Sequence, residues 1–155
     1  MRSLINPSLP SDISLEVDVS VTSLSNLEDA GYFDVISRYE DNNGNLSGHE
    51  FTFGGQPGGF FPVAFPSIET FIGAEEVHPE AGEYKDSFLF PSAWGKTYHM
   101  RADCIGDQLS WYVNGYLVQR ALSSNHSAGR GIGLFAGHTT ISMQYVFDNL
   151  VVYKP

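Results

Sequence analysis

Between Ile13 and Val21 every second residue is apolar: Ile13, Leu15, Val17, Val19 and Val21 alternate with Ser14, Glu16, Asp18 and Ser20. Successive strand side chains point to opposite faces, so this stretch fits a strand with one dry face and one wet face. It fits nothing else as well. A helix would turn the same apolar residues around its whole circumference, and no segment of the chain keeps an apolar period of 3.6 residues over three turns.

The pattern returns downstream. Tyr98, Met100, Ala102 and Cys104 alternate with Thr97, His99, Arg101 and Asp103. Gly106-Asp107-Gln108 then reads as a tight turn, and Leu109–Val113 leads into Asn114-Gly115 and Tyr116–Val118. Asn-Gly suits a type I′ hairpin, because both central residues take positive φ there, and it makes Val113 and Tyr116 cross-strand neighbours. Further strands are expected at 31–39, 49–53, 68–73, 87–90, 130–136 and 143–153, with turn material such as Asn42-Asn43-Gly44-Asn45 between them. Residues 54–66 are rich in Gly and Pro and read as a loop or bulged edge. Many short, evenly spaced strands in 155 residues predict one domain, an all-β antiparallel sandwich or barrel. Residues 1–10 read as a lead-in and 54–86 as one long variable segment.

Charge narrows the partners. Eighteen acids and eight bases give a formal net charge of −10, and fifteen of the acids lie in residues 1–86. Phosphate backbones are bound by clustered Lys and Arg, so neither nucleic acid nor an anionic membrane is an expected partner. No apolar run reaches the roughly 18 residues of a membrane-spanning helix, and membrane insertion is not expected. The start of the chain carries no apolar signal segment. An acidic monomer is the simplest expectation, with exposed sheet edges the place where pairing into dimers would occur.

The chemistry-bearing residues form no recognisable catalytic set. Glu16 and Asp18 share a strand face about 7 Å apart. A retaining glycosidase needs a second carboxyl group on such a strand, and Ser20 and Val21 occupy the places where it belongs. The run Glu75–Glu83 holds four carboxylates and His78 and reads as a solvated acidic loop. His49, His78, His99, His126 and His138 lie on different elements, and Cys104 sits in the apolar register of its strand as an inert thiol. No catalytic residue is assigned. Aromatic side chains stack on the C–H faces of sugar rings, and Trp94, Tyr112 and Phe60 are the candidates for that role.

Several pieces in order resemble the concanavalin A-like lectin/glucanase sandwich domains, in their laminin-G-like and pentraxin-like branch. They are the hairpin from Tyr98 to Gly106 and on to Tyr112-Val113-Asn114-Gly115, the strand Gly131-Ile132-Gly133-Leu134-Phe135, and the closing run Val146-Phe147-Asp148-Asn149-Leu150. Upstream, Gly31-Tyr32-Phe33 and Arg38-Tyr39-Glu40-Asp41 resemble the early Arg-Tyr strand of these domains. The resemblance implies two antiparallel sheets in jelly-roll order with first and last strands adjacent, which brings Asp148 near the acids of 13–21. It makes Asp148 the candidate ligand should a structural calcium be bound, but the favoured expectation is no cofactor, with Asp148 or Asn149 simply bonding loop backbone. It also implies a non-catalytic carbohydrate-binding or adhesion module of a bacterial extracellular or cell-surface protein, whose partner is a glycan. A protein-interaction or spacer domain without a sugar site is the second reading. A glycoside hydrolase or lyase with unrecognised residues is the third.

Overall fold

The computed structural model describes residues 2–5, 9–23, 31–55, 64–72, 76–79, 82–84, 97–125, 128–138 and 143–155. The strands are β1 (Arg2–Ile5), β2 (Ile13–Ser23), β3 (Gly31–Asn42), β4 (Asn45–Gly55), β5 (Ala64–Ile72) and β6 (Glu76–Pro79). They continue with β7 (Gly82–Tyr84), β8 (Thr97–Ile105), β9 (Gln108–Val113), β10 (Tyr116–Leu122), β11 (Gly131–His138) and β12 (Met143–Tyr153). They form two six-stranded antiparallel sheets, ordered β1-β11-β3-β4-β5-β6 and β12-β2-β8-β9-β10-β7. This is the expected all-β sandwich.

Alternation decides which face each strand buries. Ile13, Leu15, Val17 and Val19 of β2 pack with Met100, Ala102 and Cys104 of β8 and Leu109, Trp111 and Val113 of β9. From the opposite sheet they meet Phe33, Val35, Phe51, Phe53 and Ile68. Trp111 is fully buried, stacks at a tilt on Phe51 with ring centroids 5.5 Å apart, and donates its indole N–H to the Thr52 carbonyl at 3.3 Å. One side chain thereby joins the sheets both by packing and by a polar bond.

β2 is the strand expected first, and it is central. It pairs with β8 from Ile13↔Cys104 to Ser20↔Thr97 on one side and with β12 on the other. The closing strand runs over 143–153 as read, and it is adjacent to β2 as the resemblance implied. The Asn114-Gly115 turn has φ of 52° and 81°, which gives the type I′ pairing of Val113 with Tyr116. Asn43-Gly44, with φ of 59° and 86°, makes a second turn of the same hand between β3 and β4.

Three expectations need correction. The lead-in contains β1, which pairs with β11 through Arg2↔Phe135 to Ile5↔Ile132; four residues are too few to show a period. The Gly/Pro segment 54–66 is strand at both ends, with Gly54↔Phe65 and Gly55↔Ala64 extending the β4–β5 ladder. Pro66 is tolerated because β6 pairs only with Glu69–Ile72, so the proline occupies a stretch of β5 with no described neighbour on that side. The acidic run 75–83 is not wholly loop. Glu76–Pro79 closes one sheet as β6, and Gly82–Tyr84 belongs to the other as β7. The expected strand at 87–90 lies outside the described residues.

Arg38 fixes one end of the sandwich. It sits in a bulge between Ser37 and Glu40 with φ of 52° and is 1% exposed. Its Nε donates to the Ser11 carbonyl at 3.2 Å, its Nη2 donates to the Gly106 carbonyl, and Asp12 lies 3.6 Å away. Asp12 also accepts from the Gly106 N–H at 3.0 Å. The entry to β2 and the β8–β9 turn are thus held on one guanidinium. Gly129 presses against the Arg38 backbone so closely that a Cβ there would overlap the Arg38 carbonyl oxygen. Gly129→Ala is therefore expected to cost about 3 kcal/mol, the upper range for an overpacked core position. Urea unfolding of the two proteins followed by tryptophan fluorescence measures it, and equal midpoints would refute the close approach.

Candidate functional site

The outward residues of β2, β8, β9 and β12 form a polar face, and it gathers most of the described candidates. The register sets Asp148↔Asp18↔His99 in one row and Val151↔Glu16↔Arg101↔Tyr112 in the next. His99 Nδ1–H donates to Asp18 Oδ1 at 2.8 Å, and its Nε2 lies 3.7 Å from Glu16. Asn149 Nδ2 donates to the other Asp18 oxygen at 2.7 Å. The Tyr153 hydroxyl donates to Glu16, which raises the pKa of that phenol.

Beside this group, Arg101 grips Asp103 with two bonds, Nε at 2.8 Å and Nη2 at 2.6 Å. Ser14 adds a third bond to Asp103 at 2.7 Å. The carboxylate beside it raises the pKa of Arg101 still further, so its charge is permanent. The guanidinium carbon stands 4.8 Å from the centre of the Tyr112 ring. Tyr112 does face the side of its sheet opposite Trp111 and Val113, as its register indicated, but one ring face is covered by a cation.

Asp148 is exposed and directly opposite Asp18. Its Oδ1 accepts the Asn149 backbone N–H at 2.8 Å, in a bulge where Asn149 has φ of 54°. Calcium takes six to eight oxygen ligands. Here the Asp18 oxygens and one Asp148 oxygen already accept N–H bonds, and among the described residues no group of three or more His, Cys, Asp or Glu side chains is placed to hold a metal ion. The described donor set does not fit a calcium cage. Trp94 and Phe60 lie outside the described residues, as does His126.

Sequence reading overlooked two residues of interest. Tyr116, at the tip of the Asn114-Gly115 hairpin, is 70% exposed although its partner Val113 is buried. The hairpin signal located it but said nothing of its exposure. Asn149 bonds Asp18 across 131 residues of sequence, a contact that only the β2–β12 register creates. His49, read as one of several scattered imidazoles, is fully buried, with Nδ1 at 3.0 Å from the Thr70 hydroxyl and Nε2 at 2.9 Å from the Asn125 carbonyl. Nε2 therefore carries the proton that carbonyl accepts.

With this geometry in place, comparison with known proteins gives the class. The sequence matches no known family profile and no curated protein at a significant level. Solved structures do match. The carbohydrate-binding module CBM66 from Bacillus subtilis superposes with a TM-score of 0.58 at 21% identity, covering 97% of this chain and 81% of that one. A tetrameric galectin from the ball sponge Cinachyrella sp. gives 0.59 at 14% identity, with 99% of each chain covered. The CBM2 module of the evolved Dit protein of Lactobacillus casei BL23 phage J-1 gives 0.58 at 12%, covering 94% of this chain and 66% of that one. The chain shares the two-sheet antiparallel β-sandwich fold of these proteins.

Two measurements probe the site. Hydrogen bonds from Asn149 and His99 hold the Asp18 carboxyl below its usual pKa. A carboxylate with a depressed folded pKa contributes stability that is present above its unfolded pKa, near 3.9, and is lost as pH falls through the folded value. Asp18→Asn is thus expected to lower the urea midpoint at pH 7, and the difference is expected to shrink as pH falls below the unfolded pKa and through the lower folded one. A constant difference across that range would show that the bonds do not favour the ionised form. Cys104 is fully buried, and burial pushes its thiol up to about 11. It should resist a disulfide reagent at pH 8 in the folded protein and react fully in urea. Rapid labelling of the native chain would contradict this burial.

Proposed function

We propose that the chain is a non-catalytic carbohydrate-binding or adhesion module of a bacterial extracellular or cell-surface protein. The observation that carries the reading is the superposition of nearly the whole chain on CBM66. The motifs of the central hairpin and closing strand favour the laminin-G-like and pentraxin-like branch of that fold.

The residues support a binding role over a catalytic one. Glu16 and Asp18 are the adjacent carboxylates of β2, and both are engaged by neighbours on the same face. Two residues further along, Ser20 shares a hydrogen bond with Thr97 at 2.7 Å where a glycosidase of this strand type would carry its second carboxyl group. The aromatic candidates for stacking are Trp94, Phe60 and Tyr112, with Tyr116 added by its exposure. A protein-interaction or spacer domain is the second reading. It is favoured by the self-satisfied polar face, where Arg101, His99 and Asn149 already spend their donors on Asp103 and Asp18.

A glycan array with the purified chain, read in calcium and again in EDTA, tests the proposal. Binding to a related group of glycans is expected, weakened about tenfold by Trp94→Ala, a loss on the scale of one stacking contact. Equal binding with and without calcium is expected from the hydrogen-bonded state of Asp148 and Asp18. Silence across the array would transfer the assignment to the interaction-domain reading. Hydrolysis of any arrayed glycan would overturn the non-catalytic one.

A further inference from the structure

Among the described residues, three of the four sheet edges are short. β1 and β6 have four residues each and β7 has three, whereas β12 runs for 11 residues with β2 as its one described neighbour. An unpaired row of N–H and C=O groups is a template for another strand, and natural sheets blunt such edges by shortness, charge, proline or a bulge. β12 has a bulge only in its second half, between Asp148 and Val151. The six residues before it, Met143 to Asp148, pair regularly with β2 and contain one charge and no proline. Val146 on their outer face is 48% exposed.

We propose that Met143–Asp148 is the contact between two copies of this chain, which join β12 to β12 antiparallel about a two-fold axis at Val146. The strand is self-complementary in that register. Outward residues face outward residues: Val146 meets Val146 of the second copy, and Gln144 lies opposite its Asp148. Inward Tyr145 and Phe147 also meet each other, and both already pack against the core. A chain of net charge −10 repels its own copies, so it must associate where acids are few and not opposed. This register meets both conditions, because the single acid of the segment faces an amide that can donate to it. Beyond the bulge, exposed Val151 and Leu150 extend the apolar surface toward exposed Ile5 on the adjacent edge of the other sheet. The charge of the whole chain suggests a monomer; the edge carries the opposite conclusion.

Sedimentation equilibrium of the full chain over a range of concentrations tests this. The expected result is a reversible dimer of about twice 17.1 kDa, strengthened by added NaCl as self-repulsion is screened. Val146→Lys places two ammonium groups against each other and is expected to weaken the dimer at least tenfold, with its circular dichroism unchanged because the site is on the surface. Gln144→Lys sets a cation opposite Asp148 and is expected to tighten it about threefold, a gain that fades in salt. A monomer up to about 0.5 mM would overturn the proposal, because a contact weaker than that has no more than millimolar affinity. So would a dimer indifferent to both substitutions, which would place the contact on another surface.

Discussion

Val17, Met100 and Trp111 on one sheet and Phe33, Phe51 and Ile68 on the other leave water together, and each loses nearly all of its exposure. Full burial of such a side chain is worth about 1.5–3 kcal/mol. None of these strands is stable alone, since a two-stranded ribbon is marginal in water. The apolar interlayer therefore determines the fate of every polar residue between the apolar ones. Because Leu15, Val17 and Val19 point inward, Glu16 and Asp18 must point outward. The same rule sends His99, Arg101 and Asp103 to that outer face from β8, and the polar network there is a by-product of the core.

That dependence explains what could be read from the residues. Strict alternation marks β2 and β8, because each is long enough to repeat its period and has one dry face; β12 loses its period at the bulge between Asp148 and Val151. The Asn114-Gly115 turn was legible because it requires positive φ at both positions. β1 has four residues and is stabilised by its neighbour β11, so no local pattern announces it. β6 and β7 lie in an acidic stretch whose composition suggests solvent, and they hold their place by backbone ladders that any side chain permits. Arg38 was quoted only as part of an Arg-Tyr strand. Its left-handed bulge, burial and grip on Ser11 and Gly106 depend on segments far away in sequence.

The polar face was legible as separate halves. Spacing put Glu16 and Asp18 side by side, but His99 is 81 residues from Asp18 and Asn149 is 131. Only the register of β2 between β8 and β12 joins them. Once joined, they bond chiefly to one another, which is why carboxylates that look like catalytic candidates in the sequence act here as hydrogen-bond acceptors. Tyr112 shows the same effect. Its strand register was right, and the Arg101 guanidinium over its ring came from the neighbouring strand.

The position of β2 also has a kinetic side. β8, β9 and β10 follow one another through two tight turns, so their ladders form by closing loops of a few residues. β2 must wait for β8, about eighty residues later, and for β12 at the end of the chain. Closing loops of that length removes chain entropy before any of the core is gained, which places such topologies in the slow range of folding, milliseconds to seconds. Without β12, β2 would present an open edge, and its alternating valines would lie along that edge.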